Sequence, residues 1–223
     1  MKPLTRLLLA TAIPVGSVWA QPTPPLETAP APIVANLEDT LLREAAGLNP
    51  QALHAALTSW ESLRARGEVH NSLLSVIDYG LPSTQPRLWV FDLDSERVLF
   101  QELVAHGRNS GWDLAVSFSN DDGTYMSSLG AFVTGSTYDG KNGYSLRLRG
   151  TEPKLNDRAE ARAIVMHGAP YVDEAIALKN GRLGRSLGCP AVRPAIARKL
   201  IDEIRDGSVL YIWHPSIAGT LPR

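Results

Sequence analysis

Leu73-Leu-Ser-Val-Ile-Asp-Tyr79, Arg87-Leu-Trp-Val-Phe-Asp-Leu93 and Val98-Leu-Phe-Gln-Glu-Leu-Val104 follow one another along a single stretch of the chain. Each run is short, rich in β-branched and aromatic side chains, and bounded by turn formers, which is the signature of a strand. Asp94-Ser95-Glu96 joins the second to the third as a tight hairpin. The same texture recurs downstream at Ala115–Phe118, Ala131–Thr134, Ser145–Arg149, Ala163–His167 and Ser208–Trp213. One helix interrupts it. Pro194 starts that helix, Ile196, Leu200, Ile201 and Ile204 line one face, and Gly207 stops it. Many short strands and few helices predict a mainly β fold, a sandwich or barrel, over residues 71–223. No internal repeat is visible.

Upstream the period changes to that of a helix. Asn36 is placed to cap a first helix carrying Glu38 and Asp39 in its first turn, with Gly47 ending it. Asn49-Pro50 opens a second, whose Leu53, Ala56, Leu57, Trp60 and Leu63 form an apolar stripe, and Gly67 closes it. The pair, residues 34–70, is expected as a helical hairpin bracing the β domain. Residues 21–33 hold five prolines and read as an extended tether. Residues 1–20 read as a secretory signal peptide: Lys2 and Arg6 precede an apolar run, and Val18-Trp19-Ala20 offers a cleavage site before Gln21. Pro14 and Gly16 interrupt that run below the roughly 20 residues of a spanning helix, so no membrane span is expected after cleavage. The expected destination is the periplasm or cell envelope. A formal net charge of -1 on 223 residues gives no electrostatic reason to expect nucleic acid as a partner, and a monomer is expected.

Export gives meaning to the single cysteine, Cys189, because an oxidising compartment favours disulfides and one thiol cannot form an internal bridge. It is a small buried hydrophobe, an intermolecular partner or a reactive thiol. Its neighbourhood, Gly184-Arg185-Ser186-Leu187-Gly188-Cys189-Pro190-Ala191, separates these. Gly188 permits a sharp turn, and Pro190 fixes its own φ and offers no N–H. A packing cysteine needs no such turn, whereas a nucleophile must be reached from one direction. An oxyanion hole built here takes its donors from the amides of Leu187, Gly188 and Cys189. A thiol of ordinary pKa, about 8.5, needs a base. Among five histidines His167 ends an apolar strand before Gly168, which puts its ring at a sheet rim; His106, also before a glycine, is the competitor. Neither a paired-cysteine motif nor His-Glu-x-x-His is present, so no metal and no cofactor are expected.

These residues, in this order, resemble the YkuD-type L,D-transpeptidases of bacterial cell walls, in the divergent branch of murein L,D-transpeptidase catalytic domains. The resemblance rests on His167-Gly168 and Ser186-x-Gly188-Cys189, together with Val76–Tyr79, Ala105–Gly111, Ser117–Asn120, Ser127–Gly130 and Tyr138–Leu146. It implies a β-sandwich or barrel-like catalytic fold in which Cys189 attacks and His167 accepts its proton. It further implies that the Gly168 carbonyl orients that ring and that Ser186 fixes the nucleophile loop. Two departures concern recognition of substrate. Leu187 stands where the commonest motif has a second histidine, and Ala191 where it has an arginine, which leaves Arg185 or Arg193 to meet a substrate carboxylate.

The implied reaction is acyl transfer between peptidoglycan stem peptides, donor and acceptor, forming 3-3 or 1-3 cross-links through a cysteine acyl-enzyme. An L,D-carboxypeptidase or endopeptidase trimming the same stems is the alternative, with water as acceptor. A wall-binding module with an inert cysteine is a third reading, and a thiol-directed reagent separates it from the other two.

Overall fold

A computed structural model describes residues 33–218. The expected signal peptide, and all of the tether but Ile33, lie outside the described residues. Two helices come first, α1 (Ile33–Glu44) and α2 (Pro50–Ala65). Nine strands then form one sheet: β1 (Leu73–Asp78), β2 (Leu88–Asp92), β3 (Arg97–Glu102), β4 (Val104–Ala105), β5 (Gly130–Gly140), β6 (Gly143–Gly150), β7 (Val165–Gly168), β8 (Ala191–Val192) and β9 (Val209–Trp213). Helix α3 (Glu174–Asn180) lies between β7 and β8, and α4 (Pro194–Ile204) between β8 and β9.

The strand order is β3-β2-β1-β9-β5-β6-β7-β8-β4. β1 with β9 and β7 with β8 are parallel pairs, and the other neighbours are antiparallel. The two ends of this order, β3 and β4, are separated in sequence by Leu103 alone. The chain therefore carries one edge of the sheet directly into the other, and the sheet is a nearly closed barrel. Closure removes most of the unpaired edge that an open sheet would expose. It also explains why Leu88, Trp89, Val90 and Phe91 of β2 are all buried, on both faces, while β3 alternates between exposed and half-buried until Glu102, which is buried.

Asn49 caps α2 as its sequence requires, its side chain accepting from Gln51 N at 2.9 Å, with Pro50 in the first turn. Leu53, Leu57, Trp60 and Leu63 of α2 share one core with Leu74, Val76 and Ile77 of β1 and Leu210 and Ile212 of β9. Burial of each large side chain is worth about 1.5–3 kcal/mol, so this seam fixes where the helix sits.

Several local expectations are corrected. α1 begins at Ile33, so Asn36 lies inside the helix and not at its start. Ala115–Phe118 is not a strand: Val116 N and Ser117 N both donate to the Ser110 carbonyl, which winds this apolar run into a loop. Only Ala115 makes a bridge, to Gly111. The strand read as Val98–Val104 is broken at Leu103 where the barrel closes. β5 runs on to Gly140, six residues past Thr134, because pairing with β6 alone supports a polar, solvent-facing extension. α3 has no counterpart in the sequence reading. Asp173 caps it by accepting from Ala175 N and Ile176 N, but Ala177 is its one fully buried residue, so no apolar stripe announces it.

Candidate active site

The loop before β8 is held by hydrogen bonds from two directions. Ser186 N donates to the His106 carbonyl at 3.0 Å, and Arg108 N donates to the Ser186 carbonyl at 2.8 Å. The Ser186 hydroxyl accepts from Gly188 N at 3.1 Å and donates to the Cys189 carbonyl at 2.6 Å. Ser127 ties the two segments together: its hydroxyl accepts from Gly107 N at 2.9 Å and donates to the Gly188 carbonyl at 3.0 Å. Gly188 itself has φ +125, and a Cβ there would lie 2.9 Å from the Met126 carbonyl oxygen and 3.0 Å from the Ile164 side chain. Only glycine fits this turn.

The loop delivers Cys189 to the start of β8, which runs parallel to β7 with His167 opposite Ala191. Cys189 stands in the bend just before β8, two residues ahead of Ala191, and His167 stands on β7. The His167 ring bonds through Nδ1 to the Gly168 carbonyl at 3.0 Å. A carbonyl can only accept, so Nδ1 carries the hydrogen and the Nε2 lone pair is left for another group. Cys189 and His167 both line one cleft of about 400 Å³.

Burial pushes the His167 pKa down, against the opposing pull of the Gly168 carbonyl. Burial likewise pushes the Cys189 thiol up, opposed by the Val165 amide and by the charge of Arg162. The two groups thus rest as neutral thiol and neutral imidazole near neutral pH. At rest the thiol meets Val165 N at 3.5 Å and the Ala163 carbonyl at 3.8 Å.

The other expected site residues divide. Gly188 N is engaged by Ser186, which leaves the Leu187 and Cys189 amides as the less committed donors beside the thiol. The Leu187 side chain is exposed at the mouth of the cleft. Arg185 lines the cleft, but its guanidinium donates to the carbonyls of Arg108 and Gly111. Arg193 is fully engaged, bonded through two nitrogens to Glu102 and through a third to Glu174. His106 is fully buried, its Nδ1 accepts from Arg87 at 2.8 Å, and it does not line the cleft. Burial first, and the Arg87 charge second, push its pKa down to about 3.

Lys141, Asn142 and Tyr171 line the cleft without having been assigned roles from the sequence. Lys141 and Asn142 form the turn of the β5–β6 hairpin, and β6 pairs with β7 so that Ser145 faces His167. A glycine-flanked two-residue turn is legible in sequence; that it lines the same cleft as Cys189 and His167 is a consequence of pairing. Arg162 was also missed. Its guanidinium donates to the Ser119 and Met126 carbonyls, each at 2.8 Å, and contributes the charge felt by Cys189.

Over residues 44–213 the chain matches the family described as L,D-transpeptidase catalytic domain. No curated protein matches it. Among solved structures it is similar to the helical cell shape determining protein Pgp2 of Campylobacter jejuni, at 15% identity and a TM-score of 0.39, over 65% of this chain and 44% of that one. It is also similar to an L,D-transpeptidase of Xylanimonas cellulosilytica, at 13% identity and a TM-score of 0.40, over 82% of this chain and 94% of that one. A third is L,D-transpeptidase 1 of Mycobacterium tuberculosis, at 15% identity and a TM-score of 0.36, over 64% and 62%. The chain spans less than half the length of the Campylobacter jejuni protein.

Proposed function

Because the chain belongs to the family of L,D-transpeptidase catalytic domains, we propose that it cross-links peptidoglycan stem peptides through an acyl-enzyme on Cys189. The observation that supports this reading is that Cys189 and His167 line one cleft, with the ring bonded through Nδ1 to the Gly168 carbonyl so that Nε2 is left as a base. The donor stem enters with the carbonyl of an L–D peptide bond against the sulfur. His167 Nε2 takes the thiol proton as the S–C bond forms. The negative oxygen that develops is met by the amides of Leu187 and Cys189. The C–N bond then breaks, and the imidazolium returns the proton to the departing amine of the D-residue. An amine from a second stem attacks the thioester, His167 removes its proton, the S–C bond breaks, and the proton goes back to sulfur. The two bonds of this type in a stem, after the third residue and between L-Ala and D-Glu, give 3-3 and 1-3 cross-links respectively.

The expected leader and tether place this reaction outside the cytoplasmic membrane, where its polymer lies, and the catalytic unit acts as a monomer. The test is mass spectrometry of muropeptides after incubation with the purified chain. New cross-linked dimers are the expected product, with none from Cys189→Ala. Products that persist in that variant would remove Cys189 as nucleophile, and trimmed monomers alone would make the chain a hydrolase.

A further inference from the structure

Three guanidinium groups crowd one edge of the cleft. Arg182 and Arg185 lie over the Trp112 ring, 4.0 and 4.4 Å from its centroid, and Arg108 lies over Tyr125 at 4.3 Å. Backbone carbonyls steady two of them: Arg185 donates to those of Arg108 and Gly111, and Arg182 to that of Leu183. A carbonyl orients a guanidinium without cancelling its charge. Among the described residues, none of the three has a carboxylate within ion-pair distance. Their repulsion is felt, since desolvation first and then the charges of Arg182 and Arg108 hold the Arg185 pKa below its ordinary value. The rings hold the guanidinium groups by cation–π attraction, but their mutual repulsion is left for an anion to relieve.

The surface between them is apolar and open, with Trp112 62% and Leu187 58% exposed. Only Arg185 and Leu187 also line the cleft that holds Cys189 and His167; Arg108, Arg182 and Trp112 stand outside it. With the donor carbonyl at the sulfur inside that cleft, the open rim beside Arg185 is an approach for the second peptide. Stem peptides carry free carboxylates, and a guanidinium fork matches a carboxylate with two parallel hydrogen bonds.

We propose that Arg108, Arg182 and Arg185 around Trp112 form the subsite that holds a carboxylate of the acceptor peptide, a role that rests on the transferase reading above. Two measurements test it. In the first, acylation of Cys189 by a donor muropeptide is followed by intact mass without acceptor, and the ratio of transfer to hydrolysis is then measured against acceptor concentration. The double variant Arg108→Ala/Arg182→Ala should lower that ratio about tenfold while acylation keeps its rate. An acceptor with amidated carboxylates should lose the same factor with the unaltered protein and little with the variant. An unchanged ratio, or acylation slowed by the same factor, overturns the assignment. In the second, calorimetry follows the acceptor peptide binding to Cys189→Ala protein, which needs no turnover. Binding weakened by the two arginine changes supports the subsite, and binding indifferent to them sinks it. Absence of acylation in the unaltered protein would instead defeat the transferase reading and leave the calorimetric result to judge the subsite.

Discussion

With its hydrogen held on Nδ1 by the Gly168 carbonyl, the His167 ring presents only a lone pair to the cleft, and it keeps that lone pair only while neutral. Burial lowers its pKa, so the ring stays a base at pH values where an ordinary histidine, near 6.5, would be half charged. The acid limb of the rate profile should therefore lie below pH 6.5. His167→Ala should remove that limb and most of the rate, by a factor of about 10²–10⁴ for a general base. Steady-state rates of muropeptide turnover from pH 4.5 to 8 provide the check. A limb at or above 6.5, or one that survives in the variant, assigns proton removal elsewhere. The thiol argues in the same direction from the other side: with its pKa raised, the sulfur is a poor nucleophile until its proton has somewhere to go.

The elements around the loop convert a flexible motif into a fixed one. Gly107 sits where the segment after β4 passes the nucleophile loop, and a Cβ there would lie 2.5 Å from the Tyr125 carbonyl oxygen and 2.9 Å from Gly188 Cα. Both are backbone atoms, so Gly107→Ala must displace one strand of the clamp. Ser127→Ala leaves Gly107 N and the Gly188 carbonyl without their shared partner, at roughly 1–3 kcal/mol for each buried group. Both variants should fold with lowered melting temperatures and lose turnover far beyond what the stability loss explains; turnover close to that of the unaltered protein would show that the clamp does not position Cys189. This clamp marks the limit of what the sequence reveals. Gly188-Cys189, His167-Gly168 and the α2 and α4 boundaries were legible, since each rests on local chemistry: a turn, a strand end, a proline after a cap. Ser127, Arg162 and Lys141 were not, because their parts depend on which strands pair. β4 and β8, two residues each, are too short for any period, and the apolar run at 115–118 looked like a strand because hydrophobicity alone does not say which carbonyl an amide will meet.

Closing the barrel sets a charge inside it. Arg87 is fully buried between β2 and the β3–β4 junction, donating from Nε and Nη2 to the Val104 carbonyl, to the Leu81 carbonyl, and to His106 Nδ1. Burial pushes its pKa down to about 10, still high enough to keep it charged at neutral pH. His106 must then stay neutral, as its pKa of about 3 reflects, and its carbonyl in turn receives Ser186 N of the nucleophile loop. Barrel closure and active-site loop thus share one polar chain. In the unfolded chain His106 titrates near 6.5, whereas in the fold it does so only near 3, so between these values the unfolded state binds the extra proton. Stability is accordingly undiminished above pH 6.5 and falls as the pH drops toward 3, by up to about 1.4 kcal/mol per pH unit from this group. His167 and His214, also lowered, add to the slope, and Asp78 and Glu152, raised by burial, work against it. The informative quantity is therefore the difference between two proteins. His106→Asn retains an acceptor for Arg87 but cannot titrate. Urea unfolding at pH 6.5 and 4.5 should show the variant losing less stability than the unaltered protein, by about 2–3 kcal/mol across those two units. Equal losses in both would mean that His106 takes up its proton as readily folded as unfolded, and that the charge of Arg87 does not reach it.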